Sequence, residues 1–342
     1  MLVNLEDVLG HAYRHGYAVG AFNVINLEFL NGILEAAERQ RSPVVVQIAE
    51  VHFKYVDIEE ITPAIQHMAN RATVPVVLSL DHGESVGTIV RAIRCGFTAV
   101  MFDGSKLPFE ENVEQTRLVV QIAHSVGVSV EAELGRVGSS EGAEGGVARE
   151  EFFTDPEQAE EFVRRTGVDA LAVAIGNVHG FYRGEPKLDL ERLKEIRDRT
   201  GIPLVLHGGS GIPDEDFRKA IGLGISKINY FTEMSRKALQ RVKEVLQQDS
   251  RVVGLHDLIL EAKEAIREEV EDRITVFGSA GVCERRNDIC STCQACDLGK
   301  GPVDEGRLVE MVTQTVIRMM QGGAHGTGGE QGHLGGQPRG RP

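Results

Sequence analysis

Short apolar runs recur roughly every 25–35 residues through the first two thirds of the chain, and this spacing constrains the fold more than any other feature. The runs are rich in Val, Ile, Leu and Ala with little polar alternation, which is typical of strands buried on both faces of a parallel sheet. Charged amphipathic segments with helical periodicity separate them. The runs occupy residues 18–24, 43–48, 75–80, 99–102, 126–132, 170–175, 203–206 and 225–228.

Eight strand–helix units within about 280 residues predict an α/β fold, a (β/α)8 TIM barrel. A doubly wound open sheet is the alternative. Polar residues follow at least five of the predicted strands. This favours the barrel, because a barrel gathers the residues that follow its strands around one mouth.

The chain continues beyond the predicted barrel, which we assign to residues 1–281. Residues 282–322 contain four crowded cysteines and a segment of helical periodicity around 309–320. Residues 323–342 are Gly-rich and have no core-forming pattern, so we expect a disordered tail. The predicted fold is therefore a TIM barrel with a C-terminal Cys-rich and helical extension.

The charge balance disfavours several classes of partner. Lys and Arg total 37 against 51 Asp and Glu, for a formal net charge of −14. Without a net positive field, the chain is not expected to bind nucleic acid or an anionic membrane. The N-terminus MLVNLEDVLG lacks a secretory pattern, and no apolar run approaches the roughly 20 residues of a membrane span. We therefore expect a cytoplasmic protein.

Three histidines that follow predicted strands carry the main hypothesis about chemistry. His82, His179 and His207 follow the third, sixth and seventh strands. Converging on one mouth, three imidazoles fill three positions of a zinc site and leave the fourth for substrate. A lone histidine there would more often be only a hydrogen-bonding residue. The other polar residues at or beyond strand ends include Asp81, Asp103, Glu131, Glu133 and Glu141.

A glycine-rich turn directly after His207 indicates an anion site. The turn runs Gly208-Gly209-Ser210-Gly211, and Asn229-Tyr230-Phe231-Thr232 begins a helix after the last strand. Backbone N–H groups and a helix N-terminus favour an anion, and loops seven and eight are the usual phosphate site of TIM-barrel enzymes. Two tight turns without a ligand are the alternative, but the neighbouring zinc ligand favours phosphate.

Seven motifs in fixed order resemble the class II ketose-bisphosphate aldolases. The resemblance covers about residues 1–281 and implies a zinc-dependent (β/α)8 barrel. It rests on LSLDHGES (79–86), AVMFDGSKLPFEEN (99–112), VSVEAELGRVG (128–138), LAVAIGNVHGFYRGEPKLD (171–189), PLVLHGGSGIP (203–213), KINYFTE (227–233) and VFGSAG (276–281).

The resemblance also implies a role for each matching residue. His82, His179 and His207 would bind the catalytic zinc, and Asp103 and Glu133 match positions of a second or displaced metal. Asp81 would exchange the proton at the aldehyde oxygen, and Glu141 matches the carbanion-side base. A monovalent cation near the phosphate is implied as well. The substrate-binding set would be Gly180, Gly208, Gly209, Ser210, Asn229, Tyr230, Phe231 and Thr232.

The implied activity is reversible cleavage of a ketose phosphate, with fructose 1,6-bisphosphate or a close relative yielding dihydroxyacetone phosphate and an aldehyde. This is the activity of a class II aldolase, a carbon–carbon lyase of glycolysis and carbohydrate metabolism. We also expect a homo-oligomer, a dimer or tetramer. Phe231 and Ser235 depart from the fructose-bisphosphate pattern. A tagatose-bisphosphate or dehydro-deoxy-phosphogluconate aldolase, or a catalytically impaired regulator that binds sugar phosphates, therefore stays open. A Schiff-base mechanism on Lys227 leaves the three histidines unexplained.

The crowded cysteines have no counterpart in the family. Cys283, Cys290, Cys293 and Cys296 are spaced closely enough to hold a second zinc ion or an iron–sulfur cluster. A reduced extension without metal is the alternative.

Overall fold

The computed structural model describes residues 1–139, 152–180, 182, 186–248, 254–285 and 313. The chain divides into two compact units, residues 1–303 and 304–342. Glu141, Cys290, Cys293 and Cys296 lie outside the described residues, as does nearly all of 286–342. The domain boundaries predicted at residues 281 and 322 stay predictions.

Eight parallel strands form a closed barrel. The hydrogen-bonded order is β4-β3-β2-β11-β10-β8-β6-β5, and β4 pairs with β5 to close the ring. This closure confirms the TIM barrel and excludes the open sheet. The strands of the described residues are β1 (Leu2–Val3), β2 (Val19–Asn23), β3 (Val44–Ala49), β4 (Val76–Gly83), β5 (Ala99–Phe102), β6 (Ser129–Leu134), β7 (Gly138–Ser139), β8 (Ala170–Val173), β9 (Val178–His179), β10 (Leu204–Leu206) and β11 (Ile225–Asn229).

Helices surround the barrel, and those between the strands lie in the segments with helical periodicity; the helix at residues 5–15 was not predicted. The helices are α1 (Leu5–His15), α2 (Leu27–Arg39), α3 (Ile58–Arg71), α4 (Val86–Cys95), α5 (Phe109–His124), α6 (Pro156–Thr166), α7 (Leu190–Thr200), α8 (Asp214–Gly222), α9 (Thr232–Gln248) and α10 (Leu255–Val276), with 3-10 helices at Glu50–Lys54 and Val282–Arg285. Within the described ranges, none is both long and apolar enough to cross a membrane.

Capping residues set where the helices begin and end. Asp155 accepts hydrogen bonds from the backbone N–H groups of Glu157 and Gln158, and Pro156 occupies the first turn of α6. A capping carboxylate followed by proline in the first turn is a common start for a helix. Gly167 ends the same helix in the left-handed conformation at φ 72°, where glycine carries no Cβ penalty.

The interior of the barrel is apolar at one end. Small and branched residues of the strands, among them Val45, Val77 and Ala172, form one buried cluster with Leu5 and Leu9 of α1. Helix α1 therefore covers this end of the barrel. Polar side chains are left to the opposite end, where the strands terminate.

Phe277 joins the last helix to the barrel wall. It is fully buried directly after α10, and its ring lies 5.2 Å from that of Phe217 on α8. Its carbonyl accepts a hydrogen bond from the N–H of Ala18, which precedes β2. The chain is thus fixed to the barrel where α10 ends.

We expect Phe277→Ala to lower the free energy of unfolding by about 3–5 kcal/mol, because it removes a large buried ring and leaves a cavity. Leu260→Ala on the same helix is the control, since Leu260 is 57% exposed and its loss should cost at most about 0.5 kcal/mol. Urea unfolding measures both variants. Equal losses would contradict this account of how α10 is anchored.

Candidate metal centre and active site

The three histidines come together at the carboxyl end of the barrel. His82 lies at the end of β4, His179 ends β9, and His207 directly follows β10. With Glu133 of β6, each offers one ligand atom, and these four atoms lie within 4.8 Å of one another. The side chains that follow different strands therefore converge, as they do in TIM-barrel active sites.

A bulge in the closing seam of the barrel presents Asp81 and His82. The register of β4 against β5 shifts between Leu80 and Gly83: the three residues of β4 from 81 to 83 lie opposite only two residues of β5. His82 takes a left-handed backbone conformation at φ 49°, which is uncommon for a residue with a Cβ. Such bulges redirect side chains next to active sites. Here the bulge carries a candidate metal ligand and its acidic neighbour.

Both ring nitrogens of His82 are engaged. Nδ1 lies 2.9 Å from Oδ2 of Asp103, and Nε2 lies 2.9 Å from Nδ1 of His207. Asp103 therefore holds Nδ1, the nitrogen that points away from the cluster, and Nε2 points toward the other histidines. This is the usual arrangement around a metal-binding imidazole. Burial opposes a positive charge on His82, but Asp81 and Asp103 raise its pKa to about 10. The field at this point favours a cation.

A buried carboxylate, that of Glu131, orients the ring of His207. Its Nε2 lies 2.8 Å from Oε1 of Glu131, and neither side chain is exposed. Because an ionised carboxylate only accepts, Nε2 carries the proton and Nδ1 is left with a lone pair. That lone pair faces His82. Burial lowers the pKa of His207, which favours the neutral imidazole that metals bind.

Glu133 supplies a test of whether a metal fits. Its Oε2 is buried without a hydrogen-bond partner and lies 3.9 Å from Nδ1 of His82. Burial, and then the charge of Asp103, raises the pKa of Glu133 to about 8. A bound cation would supply the missing partner. Three imidazole nitrogens and one carboxylate oxygen suit Zn²⁺ or a similar divalent transition metal.

His179 is the third imidazole of the cluster. Its ring lies 4.9 Å from that of His82 and 5.7 Å from that of His207. Burial, followed by those two neighbours, lowers the pKa of His179 to about 3, so it stays neutral and able to bind a metal. Strand β9 also pairs with β7, with His179 opposite Ser139.

Asp81 is held by two amide side chains. Asn23 donates to its Oδ2 at 2.8 Å and Asn229 donates to its Oδ1 at 3.0 Å. Gln47 in turn donates to Asn23 at 3.2 Å. Burial favours the neutral acid, yet attraction to His82, and then to His207 and Lys227, lowers the pKa of Asp81 to about 2. This buried carboxylate is therefore ionised at neutral pH.

The glycine-rich turn and the start of α9 form one surface. Ser210 accepts a hydrogen bond from the backbone N–H of Glu233 in the first turn of α9. The N–H of Gly209 donates to the carbonyl of Asn229 at 3.2 Å. These contacts bring the turn after β10 to a helix N-terminus, an arrangement that favours an anion. Thr232 is the first residue of that helix, and Gly180 follows His179.

Aromatic side chains cluster beyond the carboxyl ends of β11 and β3. Phe231 has its ring 4.8 Å from that of His52 and 6.1 Å from that of Phe29. The Nδ1 atom of His52 is buried without a hydrogen-bond partner. Tyr230 points elsewhere, since its hydroxyl donates to Glu269 of α10 at 2.6 Å. Of the two, Phe231 is the one at the mouth.

Several residues of the site were not predicted from the sequence. Asn23 donates to Asp81, and Gln47 donates in turn to Asn23. The Tyr182 hydroxyl donates to the carbonyl of Gly208 at 3.1 Å. The signal for the first two was a polar residue within an otherwise apolar strand. No local pattern marks Tyr182, because its contact depends on how two loops fold together.

Residues 3–282 match the family model described as fructose-bisphosphate aldolase class-II. The chain belongs to this family. It is 44% identical over 283 residues to the fructose-bisphosphate aldolase of Staphylococcus aureus strain Mu50, covering 82% of this chain and 98% of the relative. The Geobacillus stearothermophilus fructose-bisphosphate aldolase is 45% identical over 284 residues, with the same coverage. The crystal structure of the YdjI aldolase from Escherichia coli K12 superposes with a TM-score of 0.75 at 40% identity, covering 82% of this chain and 99% of that one.

The protein is therefore a class II aldolase, a carbon–carbon lyase. Metal dependence is general in this family, and among the described residues the group formed by His82, His179, His207 and Glu133 could hold a metal ion. Of the four clustered cysteines only Cys283 is described. It lies just beyond the match, and its N–H donates to the carbonyl of Arg41 at 2.9 Å.

We expect Gly208→Ala to lower the kcat of this aldolase. Gly208 has φ 64°, and an added Cβ would collide with the carbonyl oxygen of Val178, so the turn after His207 must move. A misplacement of about 1 Å in an active site can cost about 100-fold in rate. Gly201→Ala is the matched control, with φ 65° and open space around the added Cβ. We expect the control to lose only about 1–2 kcal/mol of stability and to keep its kcat.

Proposed function

We propose that this aldolase reversibly cleaves fructose 1,6-bisphosphate to dihydroxyacetone phosphate and an aldehyde, using a zinc ion held by His82, His179 and His207. One observation carries the proposal: the three imidazoles converge beside an ionised carboxylate, Asp81, that two amides orient. Two relatives above 40% identity are named fructose-bisphosphate aldolase, which supports the substrate.

The donor set and its surroundings support zinc. Asp103 and Glu131 hold the outer nitrogens of His82 and His207, and the orphaned Oε2 of Glu133 is available as a displaced or additional ligand. When bound at His82, His179 and His207, zinc would supply Lewis-acid stabilisation of the negative charge that develops beside the carbonyl group when the carbon–carbon bond breaks. We also propose a monovalent cation near the phosphate, as in the family.

Asp81 is the proposed base for cleavage. It accepts the proton of the hydroxyl that becomes the aldehyde oxygen, and it returns that proton in condensation. Its low pKa keeps it ionised, and Asn23 and Asn229 fix both of its oxygens. Because each oxygen is held by one amide, the carboxylate group cannot rotate away from this orientation.

Glu141 is the proposed acid that protonates the carbanion side. This proposal is supported by the place where the described residues stop before Glu141, which is Ser139. Ser139 pairs with His179 in a two-stranded sheet, and Glu141 is two residues further on. Glu141 itself lies outside the described residues, so its proposed role rests on the likeness of the segment after β6 to the family.

The phosphate of dihydroxyacetone phosphate is assigned to the turn after β10 and the start of α9. The backbone N–H group of Gly208, the Ser210 hydroxyl and Thr232 are the proposed donors, with Gly180, Gly209 and Asn229 at the edges. Asn229 also reaches Asp81, so phosphate binding and proton transfer share one residue.

A Schiff-base mechanism on Lys227 is disfavoured by its surroundings. Lys227 is 1% exposed, and its Nζ forms an ion pair with Glu131 at 2.8 Å. A Schiff-base lysine must be neutral and must reach the substrate. A regulator without activity is disfavoured as well, because Asp81 and the three histidines are all in place.

The main test is zinc-dependent cleavage. Fructose 1,6-bisphosphate is supplied to the protein, and dihydroxyacetone phosphate is detected with a coupled enzyme before EDTA, after EDTA and after added zinc. We expect activity to disappear with the metal and to return with zinc. Activity that survives complete metal removal would refute the proposal.

Asp81→Asn should lower kcat by about 100- to 10,000-fold, the range for loss of a positioned proton-transfer group. The amide has nearly the same shape but cannot take the proton. Asp57→Asn is the control, because Asp57 is an exposed helix cap that asparagine serves equally well. Steady-state kinetics on zinc-loaded protein measure both, and an unimpaired Asp81→Asn would assign the proton to another group.

Phe231→Ala tests the choice of sugar. Removing the ring opens the space beside His52, so we expect the ratio of kcat/KM for fructose over tagatose 1,6-bisphosphate to change by about 10-fold or more. Phe53→Ala is the control, since Phe53 packs against Arg91 instead. A tagatose preference in the unmodified protein would support the alternative substrate. An unchanged ratio in Phe231→Ala would remove Phe231 from the specificity site.

The homo-oligomer, the cytoplasmic location and a second zinc or iron–sulfur site at Cys283, Cys290, Cys293 and Cys296 remain predictions from the sequence. We propose them together with the activity. A role in glycolysis or related carbohydrate metabolism follows if fructose 1,6-bisphosphate is the substrate.

A further inference from the structure

Lys227 is a buried cation that the proposed chemistry does not use. It lies on β11 inside the barrel, is 1% exposed, and carries one of the largest fully buried side chains. Its Nζ lies 2.8 Å from Oε2 of Glu131 and 2.8 Å from Oδ1 of Asn229. Glu131 belongs to β6, with β8 and β10 between the two strands, so the ion pair crosses the interior of the barrel.

We propose that Lys227 is a positioning residue that orders both halves of the active site: through Glu131 it orients the metal-facing His207, and through Asn229 it orients Asp81. The inference builds on the proposed function. It assigns a role to a residue that contacts neither the cluster ligands nor Asp81 directly.

The first arm runs from Lys227 to the cluster. Glu131 uses Oε2 for the ammonium and Oε1 for the Nε2–H of His207. The ion pair therefore holds the Glu131 carboxylate in place on the side away from His207. With Oε2 held by the ammonium, Oε1 stays in position to accept from the Nε2–H of His207, and the Nδ1 atom of that ring stays directed at His82.

The second arm runs from Lys227 to the proton-transfer residue. An ammonium group only donates and an ionised carboxylate only accepts. Asn229 lies between the two, with Oδ1 at the ammonium and Nδ2 at Asp81. These neighbours permit one orientation of the amide. Without the ammonium, the amide could rotate and turn Oδ1 toward Asp81, where two acceptors repel.

The test uses two variants, Lys227→Met and the charge-balanced double variant Glu131→Gln/Lys227→Met. The single change leaves a buried carboxylate unpaired and could prevent folding, whereas the double variant leaves no unpaired charge. Lys237→Met is the control, because it also removes an ion pair, with Glu269, but lies on α9 outside this network. Urea unfolding of the metal-free proteins establishes that each variant is folded.

Two readouts address the two arms. Competition with a chromogenic chelator measures zinc affinity, and cobalt substitution reports the ligand geometry by its visible spectrum. We expect the double variant to bind zinc about 10- to 100-fold more weakly than the unmodified protein, the usual cost of removing the partner of a metal-binding histidine. We expect kcat to fall about 100-fold, with KM changing less. A crystal structure should show that the Asn229 amide has left Asp81.

A purely structural ion pair predicts a different pattern: the stability of the variants would change while zinc affinity, the cobalt spectrum and kcat remained those of the control. An unchanged zinc affinity or an unchanged kcat in a folded variant would overturn the two-arm proposal. If the unmodified protein cleaves no ketose phosphate, the proposed function fails by itself. The zinc titration and the position of the Asn229 amide then still decide the role of Lys227.

Discussion

The register of the seam between β4 and β5 is the constraint on which the rest of the site depends. Closing a parallel barrel brings eight carboxyl ends to one mouth, and the extra residue in β4 directs Asp81 and His82 into it. The left-handed conformation of His82 is part of the same arrangement. A regular ladder would turn successive side chains to opposite faces. The bulge lets the proposed proton-transfer group and a candidate metal ligand occupy neighbouring positions.

The two ends of the barrel interior follow different physical rules. At the end covered by α1, small apolar residues pack without polar partners. At the other end, Glu131, Lys227 and Asn229 are buried and satisfy one another by ion pairing and hydrogen bonds. Such a network is costly to desolvate and contributes little to stability by itself. Its value lies in fixing directions, because each donor or acceptor permits one partner.

The sequence was sufficient for the barrel and for the convergence of His82, His179 and His207, because each depends on a local pattern: a buried run and the polar residue that follows it. It was insufficient for partners across the barrel. Whether Lys227 meets Glu131 depends on the register of β11, β10, β8 and β6 together. Asn23 and Gln47 were visible as polar residues in apolar strands, but a satisfied core amide gives the same pattern. His52 lies in a 3-10 turn that periodicity does not reveal.

One end of the proposed substrate site consists of backbone groups and the other of side chains. This difference suggests which end determines substrate specificity. The phosphate end consists largely of backbone N–H groups and a helix N-terminus, whose geometry is fixed by glycines such as Gly208. Substitution of side chains changes such a site little. The opposite end is made of side chains, with Phe231 against His52 and Phe29. Ala49 pairs with Asp81, so the turn carrying His52 begins beside the proposed base. A family that keeps one half of its substrate constant and varies the other would change residues here and leave the glycine turn intact.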